Sequence, residues 1–388
     1  MTRPEADGGR TWPVVAAVLL VFLGVAAPLP VLPKGVHALG ASSAALGVVL
    51  GVFPFAAVGG RLLAGRWCDG RGRIATLRLG TACGIGAGLL MALPTSLPVL
   101  VASRLVQGLG DALVYTAAAT YVIDRTPAHR RAQALSLLGS GVWGGYALGP
   151  LVGGLAGGVR TAGLVVAGTG VLAALALAGQ PETEHRGRRE PGLRGLLPRG
   201  VAKPGIALGL GNLGYAAVIG YLVLAVDSRG GHGAVALAAF SVSVLAGRLV
   251  VVPLASRFGL LRMLPAGLCA MAAGLLSLTQ VTSTLAASAA AVVIGVGYCL
   301  PFPALASLVA GRVPEHQRGS AIGALTAFYD VFVGVGSLVF GLVADRWGVS
   351  AVFLLAAAGV LASAGLDLVL ARREGASVPA LADTAPDV

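Results

Sequence analysis

Residues 60–72 read GRLLAGRWCDGRG and residues 247–259 read GRLVVVPLASRFG, so an arginine and two flanking glycines recur at the same relative positions. The step that carries position 60 to position 247, called the repeat offset below, also aligns DRTPAHRRA at 124–132 with GRVPEHQRG at 311–319, where four of the nine positions are identical. The aspartate in the first stretch stands opposite a serine in the second. One gapless offset that holds over this length indicates that the chain contains two copies of a single unit.

The composition indicates that these copies lie in a membrane. Of the 388 residues, 56% are hydrophobic and only 11% are charged, and the mean hydropathy is +0.86. A soluble domain carries about 25% charged residues, and a membrane-spanning helix needs about 20 apolar residues. The apolar runs predict twelve spans, at 12–33, 42–64, 74–94, 97–121, 134–157, 161–180, 204–226, 234–255, 263–281, 284–309, 320–343 and 350–371.

The twelve spans divide into two halves of six, residues 1–180 and 204–372. Between them, residues 181–203 are polar, basic and rich in proline and glycine, which is typical of a linker, and residues 373–388 form a polar tail. Because six is an even number, both copies have the same orientation and are related by an axis along the membrane normal. The predicted fold is therefore an all-α membrane protein of twelve transmembrane helices, arranged as two parallel six-helix repeats.

The distribution of lysine and arginine predicts the orientation of the spans. With the N-terminus in the cytoplasm, 22 basic residues lie in the tails and the even-numbered loops, and only four lie on the outer side. Cytoplasmic loops carry such an excess, so both termini are expected in the cytoplasm. With 26 arginines, only 2 lysines and much alanine and glycine, the composition suggests a GC-rich bacterial genome, and the lipid bilayer is expected to be a bacterial cell (inner) membrane. The net charge of +12 does not indicate a nucleic acid partner, because the basic residues lie in short loops.

A stripe of glycines marks the fifth span. Gly141, Gly145, Gly149 and Gly153 recur every four residues and so lie along one side of a helix. Small residues at this spacing let two membrane helices approach closely, and Pro150 adds a bend. These four glycines, called the glycine stripe below, predict a close helix crossing.

Five short motifs resemble those of a known family. GRWCDGRGR at 65–73 resembles the signature G-x-L-A-D-x-x-G-R between helices 2 and 3 of the major facilitator superfamily, and RLVQGLG at 104–110 resembles its helix-4 signature R-x-x-Q-G-x-G. GYALGPLVGG at 145–154 resembles the helix-5 signature of the family's proton-driven exporters. VLPKGV at 31–36 and FYDVFVGVG at 328–336 resemble a bacterial subgroup of drug-exporter-like carriers. The likeness extends over all twelve spans.

The resemblance implies two gating features. Asp69 is expected to face the N-terminus of helix 11, whose dipole favours an anion, and with Arg73 to latch the cytoplasmic side shut when the cavity opens outward. The glycine stripe and Pro150 are expected to pack helix 5 against helix 8 of the other half, in a seam that slides as the halves rock. A static tight crossing is the alternative explanation of the stripe.

Polar residues in the fourth span indicate proton coupling. Arg104, Gln107, Asp111 and Tyr115 form one stripe along a helix, and the resemblance places helix 4 in the wall of the cavity. Arg104 and Asp111 are about 10 Å apart along the axis, so Gln107 or a cavity water would have to bridge them. A charged group in mid-membrane usually marks an ion or substrate path. Asp111 is therefore predicted to bind the transported proton, with a packing role as the alternative.

Asp330, in the eleventh span, is the second candidate for the proton site. By resemblance helix 11 lies behind the cavity, so Asp330 could instead pair structurally across the seam between helices 2 and 11. Arg61 and Arg248 either join such charge networks or extend to the membrane surface. Asp367 precedes two arginines by little more than one helical turn and is interpreted as an interfacial charge.

The cavity is expected to be mostly apolar with few polar anchors, which suits a small amphiphile such as a drug or secondary metabolite. The sequence shows no nucleotide-binding loop, metal-ligand cluster or nucleophile triad, so we expect no enzyme activity, no cofactor and no metal. The candidate substrate contacts are Gln107, Tyr115, Asn212, Tyr215, Tyr298 and Phe302.

The sequence therefore predicts a monomeric secondary transporter that exports a small amphiphilic compound in exchange for protons by alternating access. A proton-coupled importer of a small metabolite is one alternative, and the helix-5 signature argues against it. A membrane sensor that transports nothing is the other, and it would not need charged residues within its spans.

Overall fold

The computed structural model describes residues 11–93, 96–182, 200–314 and 318–377, which are helical throughout apart from short turns and contain no strand. The helices are α1 Trp12–Ala26, α2 Leu32–Ala38, α3 Ser43–Arg71, α4 Arg73–Ala92, α5 Leu97–Arg125, α6 Arg131–Gly154, α7 Val159–Ala176, α8 Ala202–Asp227, α9 Gly233–Ala246, α10 Val252–Phe258, α11 Leu260–Ser277, α12 Thr284–Tyr298, α13 Pro301–Arg312, α14 Arg318–Trp347 and α15 Val349–Ser377.

The described chain holds the twelve predicted spans. Eleven helical segments are long and apolar enough to cross a membrane, and α1 is apolar but shorter. Three spans are interrupted: residues 27–31 separate α1 from α2, a π-helical turn at Gly247–Val251 joins α9 to α10, and residues 299–300 separate α12 from α13. The all-helical, twelve-span architecture predicted from hydropathy is confirmed.

The predicted linker and tail fall largely outside the described residues. Of the linker at 181–203, residues 183–199 lie outside them, as do residues 378–388 of the tail. α15 continues to Ser377, past the predicted end of the last half at position 372.

Helix boundaries repeat at the same offset as the sequence motifs. α4 begins at Arg73 and α11 at Leu260, and α6 begins at Arg131 and α14 at Arg318. The repeat offset likewise relates both ends of α5 to the start of α12 and the end of α13. By this repeat α3 corresponds to α9 with α10, and α6 corresponds to α14.

The halves meet along two equivalent crossings. Within the first half α4 packs on α5 and α7, and α1 packs on α6; within the second, α12 packs on α9, and α15 on α8 and α11. Between the halves, α3 packs on α14 and α6 packs on α9. The repeat relates these two crossings to each other, so the interface has approximate twofold symmetry.

Helix 5 (α6) packs on helix 8 (α9) as expected, but the glycine stripe is not the surface that makes this contact, because its four glycines pack within their own half. A Cβ atom on Gly145 would lie 2.6 Å from the Leu19 carbonyl oxygen, and one on Gly149 would lie 2.6 Å from the Leu23 carbonyl oxygen, both on α1. A Cβ on Gly153 would overlap the chain just beyond α1. The stripe is a tight crossing between α6 and α1, with Pro150 inside α6.

A second set of glycines forms the close contact between the halves. A Cβ on Gly47 of α3 would lie 2.5 Å from the Ser337 carbonyl oxygen of α14, and one on Gly51 would lie 2.9 Å from the Gly334 carbonyl oxygen. Gly341 of α14 is equally tight against the start of α3. The small-residue seam between the halves therefore lies at α3 and α14.

The two ends of the bundle differ in how the halves are joined. We call the end that holds the turns at 71–73 and 258–260 the basic face, and the other end the opposite face. At the opposite face, Lys34 Nζ lies 2.5 Å from Asp227 Oδ2 of the other half. Asp345, at the end of α14, accepts hydrogen bonds of 2.7 and 2.9 Å from the first backbone N–H groups of α3. These contacts hold the opposite face shut.

Asp367 is buried inside the second half, which corrects its interpretation as an interfacial charge. Its side chain has no solvent exposure. Asp367 Oδ2 accepts a 3.4 Å hydrogen bond from Ser363, whose hydroxyl also donates to the Ala207 carbonyl oxygen at 2.7 Å. The reason is helix register, because position 367 lies on the face that α15 packs against α8.

Candidate functional site

A cavity of about 750 Å³ lies between the two halves. Its wall reaches Ala310, near the end of α13, and Leu135 near the start of α6, both at the basic face. Toward the opposite face it stops near Leu50, about two turns inside α3. The cavity therefore opens at the basic face, and the contacts of Lys34 and Asp345 close it at the other.

Five charged side chains line this otherwise largely apolar cavity. They are three arginines and two aspartates, a formal excess of one positive charge among the described lining residues. Charged groups in the membrane interior are costly and are kept where they serve an ion or substrate path. These residues are Arg61, Arg104, Asp111, Arg248 and Asp330.

Arg61 and Asp330 form an ion pair between the halves. Arg61 Nη2 of α3 lies 2.6 Å from Asp330 Oδ2 of α14, and the two side chains are 19% and 7% exposed. The Arg61 guanidinium also lies 5.9 Å from the centroid of the Tyr115 ring. Pairing across the α3–α14 seam was one of the two interpretations of Asp330. The structure also places Asp330 in the cavity wall, so the expectation that helix 11 lies behind the cavity is wrong.

Asp111 is a buried carboxyl group with an open position. Its side chain lies in the cavity wall on α5 and the residue is 5% exposed. Its Oδ1 atom is buried and has no hydrogen-bond partner among the residues that the structure describes. Arg61 and Asp330 lie close enough to interact with it electrostatically. Because Arg61 is already held by Asp330, Asp111 is the carboxylate left to bind something else.

Arg104 makes no hydrogen bond or ion pair with Asp111 within the described chain, although the two charges are close enough to interact electrostatically. Its Nη1 donates a hydrogen bond to Gln107 Oε1, and its guanidinium lies 4.4 Å from the centroid of the Phe53 ring. The Gln107 amide nitrogen donates to the Gly24 carbonyl oxygen at 3.1 Å. Gln107 therefore ties Arg104 to α1 and does not bridge it to Asp111.

Arg248 lies over the ring of Trp143, with 3.6 Å between the guanidinium carbon and the ring centroid. It sits in the π-helical turn between α9 and α10. Its Nε and Nη2 atoms are buried and have no hydrogen-bond partner within the described chain. It neither joins an ion-pair network nor extends to the surface, which were the two expectations. The repeat offset makes Arg248 the counterpart of Arg61, and Trp143 the counterpart of Asp330.

Aromatic side chains gather beside Arg248, and we call them the ring cluster. Tyr215 stacks on Tyr298 with 5.0 Å between ring centroids, and the hydroxyl oxygens of Tyr298 and Tyr329 are 3.2 Å apart. The sequence pattern singled out only Tyr215 and Tyr298 of this group. The ring cluster consists of Trp143, Tyr146, Tyr215, Phe240, Tyr298 and Tyr329.

The remaining predicted substrate contacts divide into two groups. Tyr115 and Phe302 line the cavity and correspond to each other at the repeat offset. Asn212 and Gln107 are not among the described residues that line it. The Asn212 amide donates to the Leu208 carbonyl oxygen of its own helix at 2.6 Å, so it is satisfied within α8.

The predicted gate residues Asp69 and Arg73 lie at the basic face, in one half. Arg73 Nη1 is 3.8 Å from Asp69 Oδ1, and Arg73 Nε is 2.9 Å from Asp124 Oδ2. The Glu182 carboxylate accepts hydrogen bonds from the backbone N–H groups of Arg73 and Ile74, at the start of α4. Asp69 is 43% exposed, as expected while the basic face is open, and its latch with helix 11 stays a prediction. The sequence analysis did not place Asp124 or Glu182 among the candidate gate residues.

Two six-helix halves around a charged cavity that opens at one end define a polytopic membrane transporter. The family model of the Major Facilitator Superfamily matches residues 14–230 and 205–385, and the chain belongs to this superfamily. Its members are transporters and not enzymes.

Similar proteins agree with this assignment. An uncharacterized MFS-type transporter of Burkholderia mallei (strain SAVP1) is 32% identical over 379 residues, 93% of this chain and 92% of that protein. An uncharacterized MFS-type transporter of Pseudomonas aeruginosa (strain UCBPP-PA14) is 32% identical over 392 residues, 96% of this chain and 97% of that protein. The crystal structure of a D-xylose-proton symporter superposes with a TM-score of 0.76 at 17% identity, covering 92% of this chain and 96% of that one. This last likeness concerns the fold alone.

Proposed function

We propose that the protein exports a small amphiphilic compound from the cytoplasm in exchange for protons, by alternating access. The observation that carries the proposal is Asp111, a buried carboxyl group with an open position in a cavity that both halves line. A carboxyl group in such a place can bind either a proton or a positively charged part of a substrate. The export direction is supported by the helix-5 signature at 145–154.

The excess of basic residues in the tails and the even-numbered loops supports a cytoplasmic location of the basic face. On that assignment the structure is the inward-open form, in a bacterial inner membrane with both termini in the cytoplasm. The cavity is complete within one chain, which supports function as a monomer.

The transport cycle follows from exchange at Asp111. The compound enters from the cytoplasm and contacts the ionised Asp111. The halves then rock about the α3–α14 and α6–α9 crossings, which breaks the contacts of Lys34 and Asp345 and opens the opposite face. A proton from outside binds the Asp111 carboxylate and displaces the compound. The protonated carrier then returns to the form open to the cytoplasm, where Asp111 releases the proton.

The latches at the two faces exclude each other in this cycle. The opposite face is held by Asp345 at the start of α3, and by the Lys34–Asp227 pair. When it opens, Asp69 and Arg73 are proposed to close the basic face against the start of α14. The helices α3 and α14 would then be joined by Asp345 at the opposite face in one state, and by Asp69 at the basic face in the other.

The experiment uses inside-out membrane vesicles with an acidic lumen and a luminal pH dye. A panel of amphiphilic compounds is added outside, and the wild type is compared with Asp111→Asn and Asp330→Asn. Asp367→Asn is the matched control, because it changes a buried carboxylate that does not line the cavity. We expect compound-dependent loss of luminal protons in the wild type and the control, and none with Asp111→Asn.

Other results separate the alternatives. Loss of coupling only with Asp330→Asn would move the proton site across the cavity. Compound and protons moving in the same direction would show a symporter. Transport that is insensitive to neutral substitution of both aspartates, or no transport of any compound, would overturn proton-coupled export.

A further inference from the structure

Two opposite charges in the cavity are left without hydrogen-bond partners. Arg61 is paired with Asp330, and Arg104 is bound by Gln107. Single atoms of these groups, Arg61 Nε, Arg104 Nε and Asp330 Oδ2, are buried without a hydrogen-bond partner, but each of these residues makes an ion pair or a hydrogen bond through another contact. Among the residues that the structure describes, Asp111 on α5 of the first half and Arg248 on the turn after α9 of the second half make neither, and Asp111 Oδ1 and Arg248 Nε and Nη2 are buried. Both residues line the same cavity.

Buried charges without partners are unfavourable, so a native protein that keeps them needs something to satisfy them. A ligand with only a positive group would satisfy Asp111 and leave Arg248 unpaired. A ligand with only a negative group would do the reverse. A ligand with both would satisfy the two sites at once and bridge the two halves of the protein.

The surroundings of Arg248 specify the rest of the ligand. Its guanidinium lies against Trp143, which belongs to the ring cluster, and the stacked rings of Tyr215 and Tyr298 continue the aromatic surface. Such surfaces favour a flat apolar or aromatic group. The cavity, at about 750 Å³, falls within the range that holds drug-sized ligands.

We propose that the transported compound is a zwitterionic amphiphile. Its ammonium group contacts Asp111, its carboxylate contacts Arg248, and its aromatic body packs against the ring cluster. This inference rests on the proposed function, in which the cavity is the transport site. It is consistent with exchange, because the ammonium group and the proton compete for the same carboxylate, whereas a purely anionic compound would bind better beside a protonated Asp111.

The experiment measures binding to the purified full-length protein in detergent by isothermal titration calorimetry. The probes share a naphthyl group: amino acids with a free amine and a free carboxylate separated by a short or a longer alkyl chain, their carboxamides, which are only cationic, and their N-acetyl derivatives, which are only anionic. We expect at least one zwitterion to bind roughly tenfold or more tightly than both of its singly charged relatives, as for hydrogen bonds to charged groups.

Two substitutions test which protein residue contacts each charged group of the probe. Arg248→Gln should lower the affinity for the zwitterion to about that for the carboxamide and should not weaken carboxamide binding, since it removes a like charge for that probe. Asp111→Asn should lower the zwitterion's affinity to about that for the N-acetyl derivative and should not weaken N-acetyl binding, for the same reason. Arg248→Lys and Asp111→Glu keep the charges and should retain the preference for the zwitterion. Their binding would show that substitution at these positions does not by itself unfold the protein. Arg160→Gln is the matched control, because Arg160 is exposed and bonded to the Ala92 carbonyl oxygen away from the cavity.

The proposal is overturned if the carboxamide or the N-acetyl derivative binds as tightly as the zwitterion, if both substitutions weaken all probes equally, or if no probe binds. Proton flux in vesicles distinguishes failure of the zwitterion proposal from failure of the proposed proton-coupled export. A zwitterion that binds with this charge pattern but moves no protons upholds the substrate class and overturns the coupling. A singly charged cation that drives Asp111-dependent proton flux upholds the coupling and overturns the substrate class.

Discussion

The guanidinium carbon of Arg248 lies 3.6 Å from the ring centroid of Trp143. At the equivalent position of the repeat, Arg61 forms a 2.6 Å ion pair with Asp330. The repeat offset makes these two contacts equivalent, since each joins one half to the other at the same position of the duplicated unit. The two copies thus share the arginine but differ in its partner, which is a carboxylate in one contact and an aromatic ring in the other. Arg61 has a carboxylate partner, whereas the arginine over the ring makes no hydrogen bond or ion pair within the described residues and has donors left for a ligand.

The first prediction concerns the ion pair. Arg61→Gln or Asp330→Asn alone leaves a buried charge without its partner, which costs about 3 kcal/mol or more in buried pairs. We expect either single variant to melt at a clearly lower temperature in detergent, and the double variant Arg61→Gln/Asp330→Asn to recover most of the loss. Additive losses in the double variant would show that the pair does not act as a unit.

The second prediction concerns the latch at the opposite face. Asp345 and Lys34 are both exposed, Lys34 by 60%, but Asp345 accepts two backbone hydrogen bonds at the start of α3 whereas Lys34 makes an ion pair with Asp227. Hydrogen bonds to a charged group contribute about 1.5–3 kcal/mol, and an exposed ion pair contributes about 0–1 kcal/mol. Asp345→Asn should therefore open the opposite face more than Lys34→Ala does.

Thiol labelling measures this opening. Phe302→Cys places a thiol in the cavity wall, in a background with the four native cysteines replaced by alanine. A membrane-impermeant maleimide is then applied from the side opposite the basic face. Severalfold faster labelling with Asp345→Asn than with Lys34→Ala is expected, and equal rates in both variants and in their parent would refute the latch.

The third prediction separates a moving seam from a static one. Gly47→Val obstructs the close approach of α3 to α14, which in the proposed cycle is made when the opposite face is shut and is released when it opens. We expect this variant to fold and to lose transport. Gly149→Val obstructs the crossing of α6 on α1 within one half, so it should lower the melting temperature by itself. The reverse pattern, an unstable Gly47→Val and a stable but inactive Gly149→Val, would place the moving seam at the glycine stripe.

The fourth prediction tests which polar residues meet the substrate. Asn212 is satisfied by its own helix, while Phe302 lines the cavity. Asn212→Ala should change the apparent substrate affinity by less than about twofold, because it removes no side chain from the cavity wall. Phe302→Ala should weaken it severalfold. Equal weakening by both variants would show that the cavity reaches Asn212 in another step of the cycle.

Hydropathy and the repeat were enough to predict the fold. The spans follow from runs of apolar residues, and the repeat offset relates the starts of α4 and α11 to each other. Helix periodicity also placed Asp111 and Tyr115 on one side of α5, and both line the cavity. These features depend on the chain's local pattern, which the sequence contains in full.

The sequence did not predict in the same way which helix packs against which. A stripe of small residues predicts a close crossing but does not identify the other helix, and the stripe packs on α1 rather than on α9. Asp367 is buried because of how α15 is rotated against α8. Arg248 gains its role from Trp143, which lies far earlier in the chain and in the other half. Such contacts are set by tertiary packing.

The most direct test of the central claim is proton release on substrate binding. The purified protein is held in weakly buffered detergent at the acidic end of its working range, with a pH dye, and a transported compound is added. If proton and substrate exchange at Asp111, the wild type releases protons in proportion to the compound bound, and Asp111→Asn releases none. Equal release by Asp111→Asn, or proton uptake on binding, would contradict exchange at this residue.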